Sequence, residues 1–181
     1  MEDSDIITWS KNYYLKWSDF LADPNHSAYE DSSSNIKYHH TWTVKSEMID
    51  GKIFYQIDKV HISTLFLRHL SWVRQQLSSN NLLNHEQGHF DLAESLRPAI
   101  VQNIENEFRE KRFPTRGQNE EQRKQFARED SGLMIAKELE KWNEILLENR
   151  RQYDKETEYG QNIEKQKEYD EKFQKLRNST A

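Results

Sequence analysis

The chain has 181 residues, with 26 Lys and Arg against 31 Asp and Glu, no Cys, 5 Gly, 3 Pro and a net charge of -5. A mean hydropathy of -1.09 and 31% charged residues are values a disordered chain would show, but 5 Trp, 8 Tyr and 8 Phe are apolar surface that only a core hides, so one folded, very polar domain is expected over 1–181. Without Cys there is no disulfide frame, thiolate zinc site, iron–sulfur cluster or cysteine nucleophile; the acidic balance argues against a nucleic-acid partner, and no apolar run approaches the roughly 18 residues of a membrane span.

In chain order, Tyr13 to Trp17 reads as a first strand, ended by Asp23-Pro24-Asn25. From Asn35 to Val44 the residues alternate, with Ile36, Tyr38, His40, Trp42 and Val44 on one face of a second strand. Asp50-Gly51 is a hairpin-turn signal, and Lys52 to Ser63 reads as the returning strand, its phase shifting at Val60 and Ile62 as a bulge would shift it. After Thr64 the period moves towards 3.6, so Leu65, His69, Trp72, Val73 and Leu77 predict a short helix, followed by a loop at 78–81. Leu82 to Phe108 predicts a long helix with a kink or break near Arg97, because Pro98 cannot donate its backbone hydrogen bond. A loop at 112–117, a third helical stretch over 119–151 and a charged helix over 160–177 complete the chain. The order is α+β: a sheet-rich part over 1–64, small and antiparallel or mixed, then helices over 65–181. Well over half of the charged side chains follow residue 100, where a solvated helical face with i,i+4 pairs accounts for them; a coiled-coil or partner-binding helix is the sharper alternative.

The segment Leu82-Leu83-Asn84-His85-Glu86-Gln87-Gly88-His89-Phe90-Asp91 places His-Glu-x-x-His on the first long helix. Positions i and i+4 lie about 40° apart around a helix, so His85 and His89 reach one metal ion. Glu86, about 100° further round, flanks that ion, where it can take a proton from a metal-activated water and return it to a leaving group. Zinc suits two imidazoles, and in a Cys-free chain its donors must be N and O, which favours a catalytic site over a structural one. The plainer reading is two solvent-facing histidines. Against it, Phe90, Leu92 and Ala93 predict a buried helix, in which the polar atoms of His85, Glu86 and His89 need partners. Gly88 costs about 1 kcal/mol against Ala within a helix, which predicts the close approach of a strand or of substrate.

A catalytic zinc needs a third ligand. Asp91 and Glu94 are turned about 200° and 140° round the helix, off the His face. The remaining candidates are Glu105, Glu107, Glu138, Glu140, the acids within Tyr153-Asp154-Lys155-Glu156-Thr157-Glu158-Tyr159-Gly160, and the other histidines; spacing does not choose among them.

Leu15–Phe20, Ser71–Val73, Leu82–Glu94 and Tyr153–Thr157 together resemble a family of bacterial domains, first catalogued as being of unknown function, that are predicted zinc-dependent proteases of the zincin type. The likeness covers residues 9 to 176 and is most specific at His85-Glu86-Gln87-Gly88-His89-Phe90-Asp91. It implies a zincin-like fold, His85 and His89 as zinc ligands, Glu86 as general base, a peptide or protein substrate, and the bacterial envelope or exterior. In that family the Tyr-Asp-x-x-Thr segment continues to a His before a small residue, and here Tyr159 occupies that position, before Gly160. Tyr159 is therefore the third-ligand candidate, although a phenol binds zinc only where the metal lowers its pKa from about 10. Glu156 or Glu158 could replace it, or a complete site could have been lost.

The leading expectation is a zinc metallopeptidase in which zinc and Glu86 activate a water against a peptide carbonyl, with strand Lys52–Ser63 holding substrate as an added strand. The alternative is a catalytically silent zincin-fold binding or scaffold module, motivated by Tyr159; a hydrolase of non-peptide substrates is a third reading. Met1–Tyr14 has neither a basic region nor an apolar stretch, so no signal peptide is read there; an envelope or secreted protein would have lost a leader already, and otherwise the compartment is cytoplasmic. His39 and His40 point to opposite faces of a strand and cannot chelate one ion together, His61 lies near a cleft edge, and His26 and His69 are structural or surface groups. Trp17, Trp42, Trp72 and Trp142 are expected core aromatics. Oligomeric state leaves no mark in the sequence.

Overall fold

Alternating β-branched and aromatic residues draw the chain into a long hairpin, and the apolar period of 3.6 draws the rest into helices. The computed structural model, which describes residues 5–179, is α+β, with a small antiparallel sheet and three helices. Its strands are β1 (Ile6–Thr8), β2 (Ser32–Ser33), β3 (Ile36–Ile49), β4 (Lys52–Leu67), β5 (Trp72–Val73) and β6 (Phe113–Pro114). The helices are α1 (Asn80–Phe108), α2 (Glu120–Thr157) and α3 (Ile163–Asn178). The main sheet has the order β1-β4-β3, with β6 also on β4, while β2 and β5 form a separate pair. Asp50 and Gly51 turn the β3–β4 hairpin with φ of 49° and 74°, the positive values that a two-residue hairpin turn needs at both positions.

The chain gathers into two compact units. The first comprises the described residues up to His39, Ser63–Arg97 and those from Ile145 on. There β1 pairs with the end of β4 (Ile6 opposite Leu67, Thr8 opposite Leu65) and β2 with β5 (Ser32 opposite Val73). Its core joins Leu15, Phe20, Phe66, Val73 and Phe90, with Trp9 and Trp17 packed against them; a second cluster joins Leu92, Tyr153 and Phe173. The other unit comprises His40–Ile62 and Pro98–Glu144. It buries Tyr55, Ile57, Ile62, Ile100, Ile104, Phe108, Ile135 and Leu139. Trp42 donates its indole N–H to Ser131 Oγ (2.8 Å), and a Cβ on Gly132 would stand 2.8 Å from the Trp42 ring, so the bare glycine admits the indole.

Several expectations need correction. Tyr13 to Lys16 form no strand, and Trp17–Asp19 is a 3-10 turn. Side chains satisfy that segment instead of a ladder: Gln87 Oε1 accepts the Leu15 N–H (2.7 Å), and the Asp19 carboxylate accepts from Lys16 N and the Tyr13 hydroxyl (both 2.8 Å). The helix expected over 65–77 does not form. Leu65–Leu67 extend β4, because β1, a strand the sequence did not mark, offers them a partner; 3-10 turns at Arg68–Leu70 and Gln75–Leu77 then flank β5. Of the kink or break expected near Arg97, the break does not occur: α1 continues from Asn80 to Phe108 with Pro98 inside it. The 112–117 loop carries β6, and α2 runs six residues past the expected end at Arg151, to Thr157. Among the described residues no helix is long and apolar enough to cross a membrane.

Candidate metal centre

α1 carries the His-Glu-x-x-His segment with its polar face turned inward: His85, Glu86 and His89 are 1%, 3% and 4% exposed. The helical spacing sets the two imidazoles edge to face, ring centroids 4.8 Å apart. The last turn of α2 brings Asp154 to them. Its Oδ1 stands 3.1 Å from His85 Nε2 and 2.9 Å from His89 Nε2. One donor atom from each of the three residues lies within 4.8 Å of the others, and no other group of three or more His, Asp or Glu among the described residues meets that condition.

The surroundings fix His85 further. Its ring stacks on Tyr153 (centroids 4.6 Å apart, 8° between planes), and the Tyr153 hydroxyl donates to the His85 carbonyl (3.1 Å). Nδ1 of His85 faces Gln166 Oε1 at 3.2 Å and Thr157 Oγ at 3.3 Å. Both are acceptors here, because the Gln166 amide N–H₂ points at Asp170 (2.8 Å) and Tyr153, and the Thr157 hydroxyl donates to the Tyr153 carbonyl (2.7 Å). The network thus assigns the neutral-ring proton of His85 to Nδ1 and leaves a lone pair on Nε2, aimed at a carboxylate oxygen. Two acceptors at that distance repel unless a cation or a proton lies between them. Ligand imidazoles commonly donate their other N–H to such a second partner, and donor atoms around tetrahedral zinc stand about 3.3 Å apart, near the two spacings to Asp154. His85, His89 and Asp154 therefore fit a zinc ion through two N donors and one O donor. His89 fits less completely, since its buried Nδ1 has no partner.

Burial pushes the His89 imidazole below its ordinary value, helped by the Arg150 charge, although the hydrogen bond to Asp154 opposes this. For Asp154, burial acts upward, but the two imidazoles that face its Oδ1, those of His85 and His89, outweigh it and hold the carboxyl well below the usual range. The pair is a neutral imidazole beside an ionised carboxylate, the state in which both can ligate a cation.

Glu86 is held from the other side. Ser32 Oγ donates to its Oε1 (2.6 Å), and Ser34 Oγ donates to its Oε2. Arg150, one turn before Asp154 on α2, donates from Nη2 to the Ser34 carbonyl (2.8 Å). All these groups except Ser34 line one cavity of about 620 Å³, whose rim includes Tyr29, Leu77 and Ile163. The segment along this cavity is 29–33, and not the strand Lys52–Ser63 that the sequence pointed to.

Tyr159 lines the same cavity, its ring edge-on to His85 with centroids 6.4 Å apart. After α2 ends, Glu158, Tyr159 and Gly160 all take positive φ (50°, 55° and 84°), and the Tyr159 N–H bonds the Asp154 carbonyl (3.0 Å). Left-handed backbone costs a non-glycine residue roughly 1–2 kcal/mol, so this turn is held by its surroundings. At Gly160 a Cβ would meet His85 Cβ at 2.9 Å, which explains the small residue there. Burial and the Asp154 charge push the Tyr159 phenol above its ordinary value, which disfavours a phenolate.

Among the acids left open by spacing, Asp154 is the one the fold brings to the two imidazoles. Glu156 bonds Gln152 (2.8 Å) and the Tyr169 hydroxyl (2.8 Å) instead. Asp91 is engaged by Trp9, Gln87 and Arg177, and Glu94 by Thr64 and Arg97, in keeping with positions off the His face. Sequence reasoning did not find Ser32, Ser34, Arg150 or Gln166. The one local signal was the i,i+4 spacing of Arg150 and Asp154, which sets both on one face of α2. Gly88 is explained by a helix contact and not by a strand or substrate: a Cβ there would stand 2.0 Å from the Tyr153 hydroxyl. Compared with protein-family models, with curated proteins and with solved structures, the chain matches none.

Proposed function

We propose that this protein is a zinc-dependent peptidase of the zincin kind, with His85, His89 and Asp154 as zinc ligands and Glu86 as general base. The observation that carries the reading is the convergence of two imidazole Nε2 atoms on one carboxylate oxygen, beside Glu86 and within an open cavity. Zinc held there would supply a Lewis acid for the substrate carbonyl and lower the pKa of a water. The chain's own residues do the rest. Gln166 and Thr157 hold the His85 tautomer, and Tyr153 fixes the ring plane. Ser32 and Ser34 orient the Glu86 carboxylate, which accepts the proton of the attacking water and delivers it to the leaving amine. Residues 29–33 line the cavity, and a peptide substrate would lie along them. By the sequence likeness the setting would be the bacterial envelope or exterior if a leader has been removed, and otherwise the cytoplasm.

The test is hydrolysis of an unstructured protein by zinc-loaded enzyme, with and without a chelator, alongside Glu86→Gln. Loss of activity with chelator and a fall of at least about 100-fold in Glu86→Gln are expected. Stoichiometric zinc with wild type and Glu86→Gln equally inactive on a broad peptide library would sink the peptidase reading. One observation favours a second reading, a silent zincin-fold binding module: both Glu86 oxygens already accept hydrogen bonds. That reading requires the purified protein to carry no catalysis whether or not zinc is bound.

A further inference from the structure

Four arginines of the first unit stand beside a carboxylate. Arg68 stands 3.7 Å from Asp19, Arg74 3.0 Å from Asp31, Arg97 2.8 Å from Glu94 and Arg177 2.5 Å from Asp91. Arg150 differs. Among the described residues no carboxylate lies within ion-pair distance of it, and its hydrogen bond goes to a backbone carbonyl, that of Ser34. Burial opposes the charge of this half-buried guanidinium, while the nearby Glu86 and Asp154 carboxylates favour it, so the cation belongs to the charge set of the site. The position is informative. Arg150 lines the cavity together with His85, Glu86, His89 and Asp154, and one N–H edge is tied back to Ser34, next to the hydroxyl that holds Glu86. The tether holds one edge of the planar fork at Ser34 while the residue lines the cavity.

We infer that Arg150 is a further catalytic residue, whose guanidinium receives the substrate oxygen on which negative charge develops. The inference rests on the peptidase reading above. As the water oxygen bonds to the carbonyl carbon, its proton passes to Glu86 and the π electron pair moves onto the carbonyl oxygen. Collapse returns that pair, breaks the C–N bond, and the proton goes from Glu86 to the amine. Between these events the oxygen carries a full charge that was absent from the substrate. A preset cation is worth most at such a point, because no solvent has to reorganise. A tethered Arg presents a rigid fork where a Lys would present a mobile point charge. A charge that meets an oxygen only as it becomes negative acts on the chemical step more than on substrate binding.

The test compares wild type with Arg150→Met and Arg150→Lys, all zinc-loaded. Two probes are used: a phosphinic peptide, whose tetrahedral centre carries a negative charge, and a neutral, uncleavable peptide of the same sequence, both measured by calorimetry. For Arg150→Met the phosphinic peptide is expected to bind roughly 100- to 1000-fold more weakly while the neutral peptide binds unchanged; kcat should fall by a similar factor at near-constant KM. Guanidinium chloride at sub-denaturing concentration should restore part of the activity to Arg150→Ala. Equal binding of the phosphinic peptide by wild type and Arg150→Met, or none by wild type, overturns the inference. So does loss of both peptides alike in the Met and Lys variants, which would make Arg150 structural. A rise in KM confined to substrates with a free C-terminal carboxylate would also overturn it, by making Arg150 an anchor for that group. Failure of the peptidase reading looks different: wild type cleaves nothing, yet Arg150 still separates the two probes.

Discussion

At Asp154 two imidazoles share one carboxylate oxygen, at 3.1 and 2.9 Å, while Tyr159 stands beside them as an aromatic wall. The two residues therefore separate by substitution. Asp154→Asn should weaken zinc affinity about 100-fold or more, since a neutral amide replaces an anionic donor, whereas Tyr159→Phe should leave it within about twofold. Competition with a chromogenic chelator measures both, and the opposite ranking would make Tyr159 the ligand. Gly88 makes a second residue-scale case. Ala at this position gains about 1 kcal/mol of helix propensity, but its Cβ would stand 2.0 Å from the hydroxyl of Tyr153, a fully buried ring with its oxygen held by His85 and Gln166. Tyr153 cannot swing aside without leaving His85. Overpacking should dominate, so Gly88→Ala is expected to destabilise by a net 1–3 kcal/mol, roughly, in urea unfolding; a stabilised variant would refute the contact.

The helices of the first unit are locked by one buried ion pair as well as by apolar packing. Arg177 of α3 and Asp91 of α1 are 4% and 3% exposed; Arg177 bonds both Asp91 oxygens (3.1 and 2.5 Å) and the carbonyls of Ser10, Lys11 and Tyr13. Deleting the cation leaves a buried carboxylate with only the Trp9 and Gln87 donors. Arg177→Met should cost about 3–5 kcal/mol, read from the urea midpoint, while Asp91→Asn with Arg177→Met should recover part of that loss. α3 matters to the site because it carries Gln166, the acceptor for His85 Nδ1. Some exposed charges of α2 and α3 pair with neighbours along the same helix, such as Lys124 with Glu120 and Lys165 with Glu168, at the i,i+4 and i,i+3 spacings.

For the molecule as a whole, the site couples stability to pH. The folded-state pKa of His89 lies below its ordinary 6.5, so the unfolded chain takes up this proton first as pH falls. Stability is then lost as pH drops from about 6.5 towards the lower folded value. Asp154 acts in the same direction at lower pH: its depressed pKa contributes stability that is present above the usual 3.8 and lost as pH falls through the folded value. Metal-free protein is expected to show a falling urea midpoint from pH 7 to 5, with a further fall below 4. A flat midpoint over the upper range would mean that His89 is not desolvated.

Local spacing made the hairpin, the three helices and the His85–Glu86–His89 face legible from sequence, because each depends on residues two to four apart. Asp50-Gly51 and the alternation of Ile36, Tyr38 and Trp42 are of this kind, and so is the inward turn of α1 at Phe90 and Ala93. What failed was what depends on a distant partner. Leu65–Leu67 are strand because β1 lies beside them, and Tyr13–Lys16 are not, because Gln87 and Asp19 satisfy their backbone. The same division runs through the site. The sequence by itself determined the two imidazoles and the carboxylate at Glu86. Tertiary structure alone decided that Asp154, 69 residues from His85, completes the cluster, that Ser32 and Ser34 hold Glu86, and that Arg150 faces the same cavity. Helical geometry is encoded in a few neighbouring residues, but the choice of one acid among many is made only when packing brings separate segments together and excludes water from them.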